Sequence, residues 1–362
     1  MTDYYEIDFW DVESDKSGDA ISVRYSIGGN IYVHVIDGGY QSTGDSLKQN
    51  IQKYYDDVQK IDHVVATHND GDHAGGLRPI LENFEIGTLW MLRPWIYAEE
   101  LIDRFENYQS AEYLRRKLRS LYPNLAALED IANEKGIEIR EPFQGQTIGA
   151  FRVLAPTKSR FLDLVVASEK TPEISADDPM AKNAGLAGLF EAAKKAAKEF
   201  VYALWGVEIF SPKETSAEND MSVVQFANLV GDRILLTGDA GRGGLTEAAD
   251  YAPFVGLNLP GIDKFQVPHH GSRRNVSSEV LDRWLGPKVP ENHNDAKFQA
   301  YISSAKADEH HPRKAVVRAI YHRGGKVYAT EGQSIHTNRN APTREGWISI
   351  NPMEYPTEHE QN

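Results

Sequence analysis

The sequence predicts a mixed α/β fold in which buried strands alternate with helices and further helices are inserted between them. Three observations carry that expectation. Short β-branched runs such as Ile61–Thr67 (IDHVVAT) recur along the chain. Apolar residues at helical spacing follow, as Leu77, Ile80, Leu81 and Phe84 do at i, i+3, i+4 and i+7. Glycine pairs close the runs at Gly38–Gly39 and Gly75–Gly76. With 362 residues, 41% of them hydrophobic, the chain is long enough to bury a large core. No repeat or linker divides it. Residues 1–362 therefore read as one domain with helical insertions at about 97–135 and 168–215.

The elements follow in order. Ala20–Tyr40 holds two β-rich runs separated by the turn signal GGN, and IDGG closes the second. Ser46–Gln59 is polar and helical. Ile61–Thr67 is a buried strand, followed by a polar loop and the Leu77–Phe84 helix. EIGTLWML returns as a strand, and Tyr97–Lys135 is helix-rich. GIEIREP and QTIGAFRVLAP are strand-like, and Ser168–Asp178 is a polar loop. Leu186, Leu189, Phe190, Ala193, Ala197, Phe200, Val201 and Leu204 form one stripe of a long helix, with Glu191, Lys194, Lys195 and Lys198 opposite. The strand-like runs MSVVQFANLV, RILLTGDAG, DKFQVPHHGSRRN, AYISSA and KVYAT come next, with an amphipathic helix, PRKAVVRAIYHRGG, before the last.

Composition narrows the chemistry. Cysteine is absent, which excludes disulfides, thiolate ligands and cysteine nucleophiles. A net charge of −14 argues against indiscriminate adhesion to nucleic acid or anionic membrane. It leaves open a nucleic-acid substrate at a site where bound cations reverse the local field. The acidic start, MTDYYEIDFWDVESDK, has no basic region followed by an apolar block, and no run approaches a membrane span, so a cytoplasmic location is expected.

The densest chemistry lies in ATHNDGDHAGG, Ala66–Gly76, where His68, Asp70, Asp72 and His73 crowd the end of a strand. In extended backbone alternate side chains share a face, so His68 and Asp70 point into one site and Asp72 or His73 into a neighbouring one. Four such groups cannot be buried unpaired cheaply, and a cation is their natural partner. Imidazole and carboxylate suit zinc, and carboxylate suits manganese. The bland alternative is a loop of turn formers, Asn69–Gly71. Two more strand ends repeat the pattern: Asp239 closes RILLTGD, and His269 with His270 closes DKFQVPHH.

Taken in order, THNDGDHAGG, NDMSVVQF, LLTGDAG and VPHHGS resemble the metallo-β-lactamase fold. More closely they resemble the hydrolase domain of ComEC-type DNA-uptake proteins, which is marked by His-x-Asp-x-Asp-His where most relatives carry His-x-His-x-Asp-His. The likeness takes in GDA (Gly18–Ala20), IDGG (Ile36–Gly39) and HHP (His310–Pro312). It implies an αββα sandwich and two ions per chain, Zn²⁺ or Mn²⁺. His68 and Asp70 would serve the first ion, Asp72 and His73 the second. Asp239 would bridge, and His269 or His270 would complete the second site. Where many relatives have a histidine before the bridging strand, Asn219 or Asp220 stands here. With Asp70, that makes the first site harder and favours manganese.

The same likeness implies hydrolysis by a metal-activated water, with Asp72 orienting it or taking its proton and His269, His270 or His311 as the leaving-group acid. Arg273 and Arg274, and Lys306 beyond them, are candidate phosphate binders. A phosphodiesterase or nuclease acting on nucleic acid or another phosphodiester is therefore expected. The alternatives are a hydrolase of a lactone, thioester or amide, which would not need those arginines, and a non-catalytic interaction module. The Leu186–Leu204 stripe offers a face for a second copy or a partner protein.

Overall fold

The β-branched runs of the first half become one sheet and those of the second half another. In the computed structural model, which describes residues 2–12, 14–105, 108, 110–168, 204–293 and 295–358, each sheet has seven strands. The first runs β14 (Ile335–Arg339), β1 (Tyr4–Phe9), β2 (Ala20–Ile27), β3 (Asn30–Gly38), β4 (Lys60–Val65), β5 (Glu85–Trp90), β6 (Glu138–Arg140). The second runs β13 (Gly325–Ala329), β12 (Phe298–Ile302), β11 (Lys264–Gln266), β10 (Asp232–Leu236), β9 (Val224–Leu229), β8 (Phe151–Ala155), β7 (Thr147–Ile148).

The inner faces share one core. Ile7, Val23 and Val35 pack with Val153, Ala227 and Ile234, and Phe9 stacks on Tyr301 across the interface at 4.7 Å. Helices Gly44–Tyr54, Leu77–Asn83 and Pro123–Lys135 bury apolar faces on the first sheet's side. Helices Arg242–Tyr251, Ser278–Leu285 and Lys314–Tyr321 share a second cluster with the other sheet. This is the expected αββα sandwich.

Several elements depart from the sequence reading. That reading assigns no strand at Tyr4–Phe9, yet all six residues are buried. Glu6 and Asp8 disguise the strand, and they are tolerated because Arg344 pairs with both, at 2.8 Å each, and Arg24 pairs with Glu6. QTIGAFRVLAP divides around Gly149 into β7 and β8. The helix-rich stretch 97–135 contains Ala98–Leu101, Ala111–Leu121 and Pro123–Lys135. A further helix, Lys158–Ala167, has no counterpart in the sequence reading. The Leu186–Leu204 stripe, apart from Leu204, and most of the Ser168–Asp178 loop lie outside the described residues. Among the described residues no helix is long and apolar enough to cross a membrane.

Strand direction is what positions the site. β3 to β6 run parallel, as do β10 to β13. Ligands in such sheets gather outside the carboxyl ends of parallel strands. The segments that leave β4, β10, β11 and β12 there are the ones that carry His68–His73, Asp239, His269–His270 and Ser303.

Candidate metal centre

The loop after β4 is held by backbone contact. Gly76 lies so close to β3 that a Cβ there would sit 1.9 Å from the Gly38 carbonyl oxygen, and its N–H donates to Gly39 O at 2.8 Å. Only glycine allows this approach. Asn69 anchors the other side: its side-chain oxygen accepts from Asn124 N at 3.2 Å, at the start of helix Pro123–Lys135. Between these anchors, His68, Asp70, Asp72 and His73 are fixed in space.

Four imidazoles share one arrangement. His73 Nδ1 donates to Asp37 Oδ2 at 2.7 Å, and His270 Nδ1 to the Ser303 carbonyl at 2.8 Å. Thr67 Oγ1 spends its proton on Asp37 Oδ2 at 2.6 Å, so it accepts from His68 Nδ1 at 3.0 Å. Asn275 donates its amide to Asp239 O at 2.8 Å, so its oxygen accepts from His269 Nδ1 at 3.0 Å. Each ring therefore turns Nε2 rather than Nδ1 toward the centre, the nitrogen that would bind an ion once its proton has left.

Those Nε2 atoms meet carboxylates. His73 Nε2 lies 3.2 Å from Asp239 Oδ1. His68 and His269 face the other oxygen, Asp239 Oδ2, at 3.8 and 3.6 Å. His68 Nε2 is also 3.8 Å from Asp70 Oδ2, and His270 Nε2 is 3.5 Å from Asp72 Oδ2. Two ligands of one tetrahedral ion, each ~2.1 Å from it, stand roughly 3.4 Å apart. Most of these separations are too long for good hydrogen bonds and suit donors that share a cation. His68 Nε2, His73 Nε2, His270 Nε2, Asp239 Oδ1 and Asp19 Oδ1 are all buried without a hydrogen-bond partner. The donor set fits divalent metal.

Without an ion, the cluster holds its charges against one another. Burial opposes ionisation of Asp239, but His269, His73 and His270 keep it well below the usual carboxylate range. Asp72 is held low in the same way, chiefly by His270. Burial pushes the His270 imidazole down, yet Asp239 and Asp72 raise it to about 9.

The structure brings His68, Asp70, Asp72, His73 and Asp239 to one place at the sheet edge. The histidine pair divides: His269 faces Asp239 Oδ2 beside His68, and His270 faces Asp72. This is possible because His269, His270 and Gly271 all take positive φ, of 49°, 53° and 83°, turning successive side chains to different parts of the centre. Asn219 lies against the His269 ring, its amide nitrogen 3.0 Å from Nδ1, whereas Asp220 accepts from Gly241 N and Gly244 N at 2.9 Å. His311 stacks on His269 with ring centroids 5.7 Å apart, and Asp308 Oδ2 lies 3.2 Å from its Nδ1. Burial and the neighbouring histidines push the His311 imidazole down to about 4.

The cationic candidates stand further out. Arg273 is half-buried on the turn after His270, while Arg274 and Lys306 are exposed. Sequence reasoning assigned no role to Asp37, to Asp19 or to Ser222, whose Oγ lies 3.2 Å from His68 Nδ1 and accepts from Asp239 N at 3.2 Å. Asp37 and Asp19 sit in IDGG and GDA, where a buried carboxylate beside glycine was the available signal; Ser222 gave none.

Comparisons with known proteins bear on the fold. Residues 25–140 match the family model described as the metallo-beta-lactamase superfamily. Among solved structures, the chain is similar to a metallo-beta-lactamase from Cronobacter sakazakii (Enterobacter sakazakii) mutated in its HARLDQ motif. That match has 12% identity over 68% of each chain and a TM-score of 0.29. A second, AbOPH, described as a hydrolase in the beta lactamase superfamily, is 11% identical over 61% of this chain and 56% of that one, with a TM-score of 0.27. No curated protein matches. The family model and the two-sheet architecture agree on the metallo-β-lactamase fold, and none of the matches singles out a ComEC-type branch.

Proposed function

We propose that this chain is a metal-dependent hydrolase with two ion positions, acting on phosphodiesters. The observation that carries the metal reading is the shared orientation of four histidines. Each has Nδ1 engaged by a protein group, and each turns Nε2 toward Asp70, Asp72 or Asp239. His68, Asp70, His269 and Asp239 Oδ2 would hold the first ion. Asp72, His73, His270 and Asp239 Oδ1 would hold the second. Such ions supply Lewis acidity and bring the pKa of water down to about 7.

The protein's own part is positioning and proton handling. Asp72 is more open than Asp239, with 27% of its side chain exposed, and takes the proton of the attacking water. His270 has Nδ1 on the Ser303 carbonyl and Nε2 turned to the centre beside Asp72, so it would act as a ligand. His311 is left as the candidate leaving-group acid: Asp308 fixes it through Nδ1, and Nε2, kept unprotonated by burial and the neighbouring histidines, would take up the proton it donates only once a bound anionic substrate offsets them.

The phosphodiester half of the proposal rests on the carboxylate-rich donor set, the ComEC-type order His68-x-Asp70-x-Asp72-His73, and Arg273 and Arg274 on the turn beside the ligands. We place the enzyme in the cytoplasm, with nucleic acid or a smaller phosphodiester as substrate.

The test is elemental analysis of the purified chain, followed by assays on bis-p-nitrophenyl phosphate and on single- and double-stranded DNA with zinc or manganese. Asp72→Ala and Asp239→Ala should each lower kcat by about 10³-fold, equivalent to ~4 kcal/mol of transition-state stabilisation, while circular dichroism stays native. Wild-type turnover in both variants would remove the catalytic assignment. Hydrolysis of lactones or thioesters with none of phosphodiesters would remove the substrate class.

A further inference from the structure

The structure assigns Asp19 to the second ion position as its third carboxylate, an assignment that rests on the metal reading above. Asp19 is 2% exposed and lies on the turn that enters β2. Gly18 lets this turn press on the ligand loop: a Cβ there would sit 2.8 Å from Asp72 O. Asp19 N donates to that same oxygen at 3.0 Å. The turn is thereby registered to Asp72.

One buried amide registers it to Asp239 as well. Gln266 Nε2 donates to Asp19 Oδ2 at 3.0 Å, while Gln266 Oε1 accepts from Thr237 N at 2.8 Å and Gly238 N at 3.2 Å. Thr237 and Gly238 are the residues that deliver Asp239. Gln266 thus holds Asp19 by Oδ2, with His73 Nδ1 3.8 Å from that oxygen and the Ser303 hydroxyl nearby, and Oδ1 is buried without a hydrogen-bond partner. Asp19, His73 and Asp239 each place a ligand atom within 4.8 Å of the other two. A carboxylate fixed through one oxygen, with the other unsatisfied among metal donors, is built to meet a cation.

The consequence is unequal positions. The first has two imidazoles and two carboxylates, from His68, His269, Asp70 and Asp239. The second has two imidazoles and three carboxylates, from His73, His270, Asp19, Asp72 and Asp239. More oxygen and more negative charge favour a hard ion, so the second position should prefer Mn²⁺ relative to the first.

The experiment uses metal-stripped full-length chain. Mn²⁺ binding is followed by electron paramagnetic resonance and calorimetry, and Zn²⁺ by competition with a chelator. Wild type should bind two ions, one with the stronger Mn²⁺ preference. Asp19→Asn and Asp19→Ser should weaken that one at least tenfold and leave the other within twofold. The metal-free variants should melt at or above the wild-type temperature, since a buried charge has gone, and should gain less on adding Mn²⁺. Wild-type affinities for both ions in both variants would overturn the assignment. So would an equal fall in melting temperature with and without Mn²⁺, which is the signature of a purely structural role. A wild-type chain that binds no divalent ion would overturn the metal reading itself, and this assignment with it.

Discussion

Asp37→Asn separates ligand orientation from ligand identity. Asp37 accepts three hydrogen bonds, from Thr67 N at 2.8 Å, Thr67 Oγ1 at 2.6 Å and His73 Nδ1 at 2.7 Å. Its backbone has φ of 54°, a left-handed conformation that asparagine tolerates, so the substitution adds no backbone strain. The amide oxygen can still accept from Thr67 N. The amide nitrogen then faces Thr67 Oγ1 and His73 Nδ1, where two donors now meet a donor. The ring relieves this by moving its proton to Nε2, the atom aimed at Asp239 Oδ1 at 3.2 Å. That removes the lone pair an ion would need. Loss of such an orienting carboxylate costs ~10–100-fold in metal affinity, or about 1.4–2.7 kcal/mol. The loss should be largest at the ion shared by His73, Asp72 and His270, and smaller at the one served by His68, which feels the change only through Thr67 Oγ1. Calorimetric titration of the stripped variant reads this directly. Two ions bound as tightly as in wild type would refute the tautomer argument.

Two further outcomes are expected. Arg273→Ala combined with Arg274→Ala should raise KM for phosphodiesters about tenfold, the loss of roughly 1.4 kcal/mol of charge-assisted contact, with kcat little changed; an unchanged KM excludes a phosphate clamp. His34 makes the chain acid-sensitive. It is fully buried on β3 with both ring nitrogens unpartnered, and burial, then His63, hold its imidazole well below the ordinary range. The unfolded chain takes up this proton below about pH 6.5 and the folded chain does not, so stability is lost as pH falls, by up to about 1.4 kcal/mol per unit. His34→Leu should flatten that slope in urea titrations at pH 7.5 and 5.0. An identical slope in variant and wild type would show that His34 does not set it.

The strands that the sequence reading found were those that end on a run of apolar residues, such as Val64 and Val65 at the end of β4 and Ile234, Leu235 and Leu236 at the end of β10. β1 was missed because its buried carboxylates find their cations at Arg24 and Arg344, and Arg344 lies more than three hundred residues away. No local pattern contains that partner. The same reason limited the site. His68, Asp70, Asp72 and His73 were legible because one short segment holds them all, whereas Asp19 stood out only as part of GDA, about fifty residues away, with nothing local to bring it to them.

By itself, the sequence determined the donor chemistry. With no cysteine, any metal must be held by oxygen and nitrogen, and imidazole and carboxylate at three strand ends with glycines beside them are where those donors gather. The tertiary structure decided which oxygen of Asp239 each histidine meets, that His269 and His270 part company, and that Asp19 and Asp37 stand within the centre. Composition and spacing act along the chain, but these choices depend on a left-handed turn at His269–Gly271 and on loops from distant strands meeting at one edge. Neither is set until both sheets have closed on their shared core.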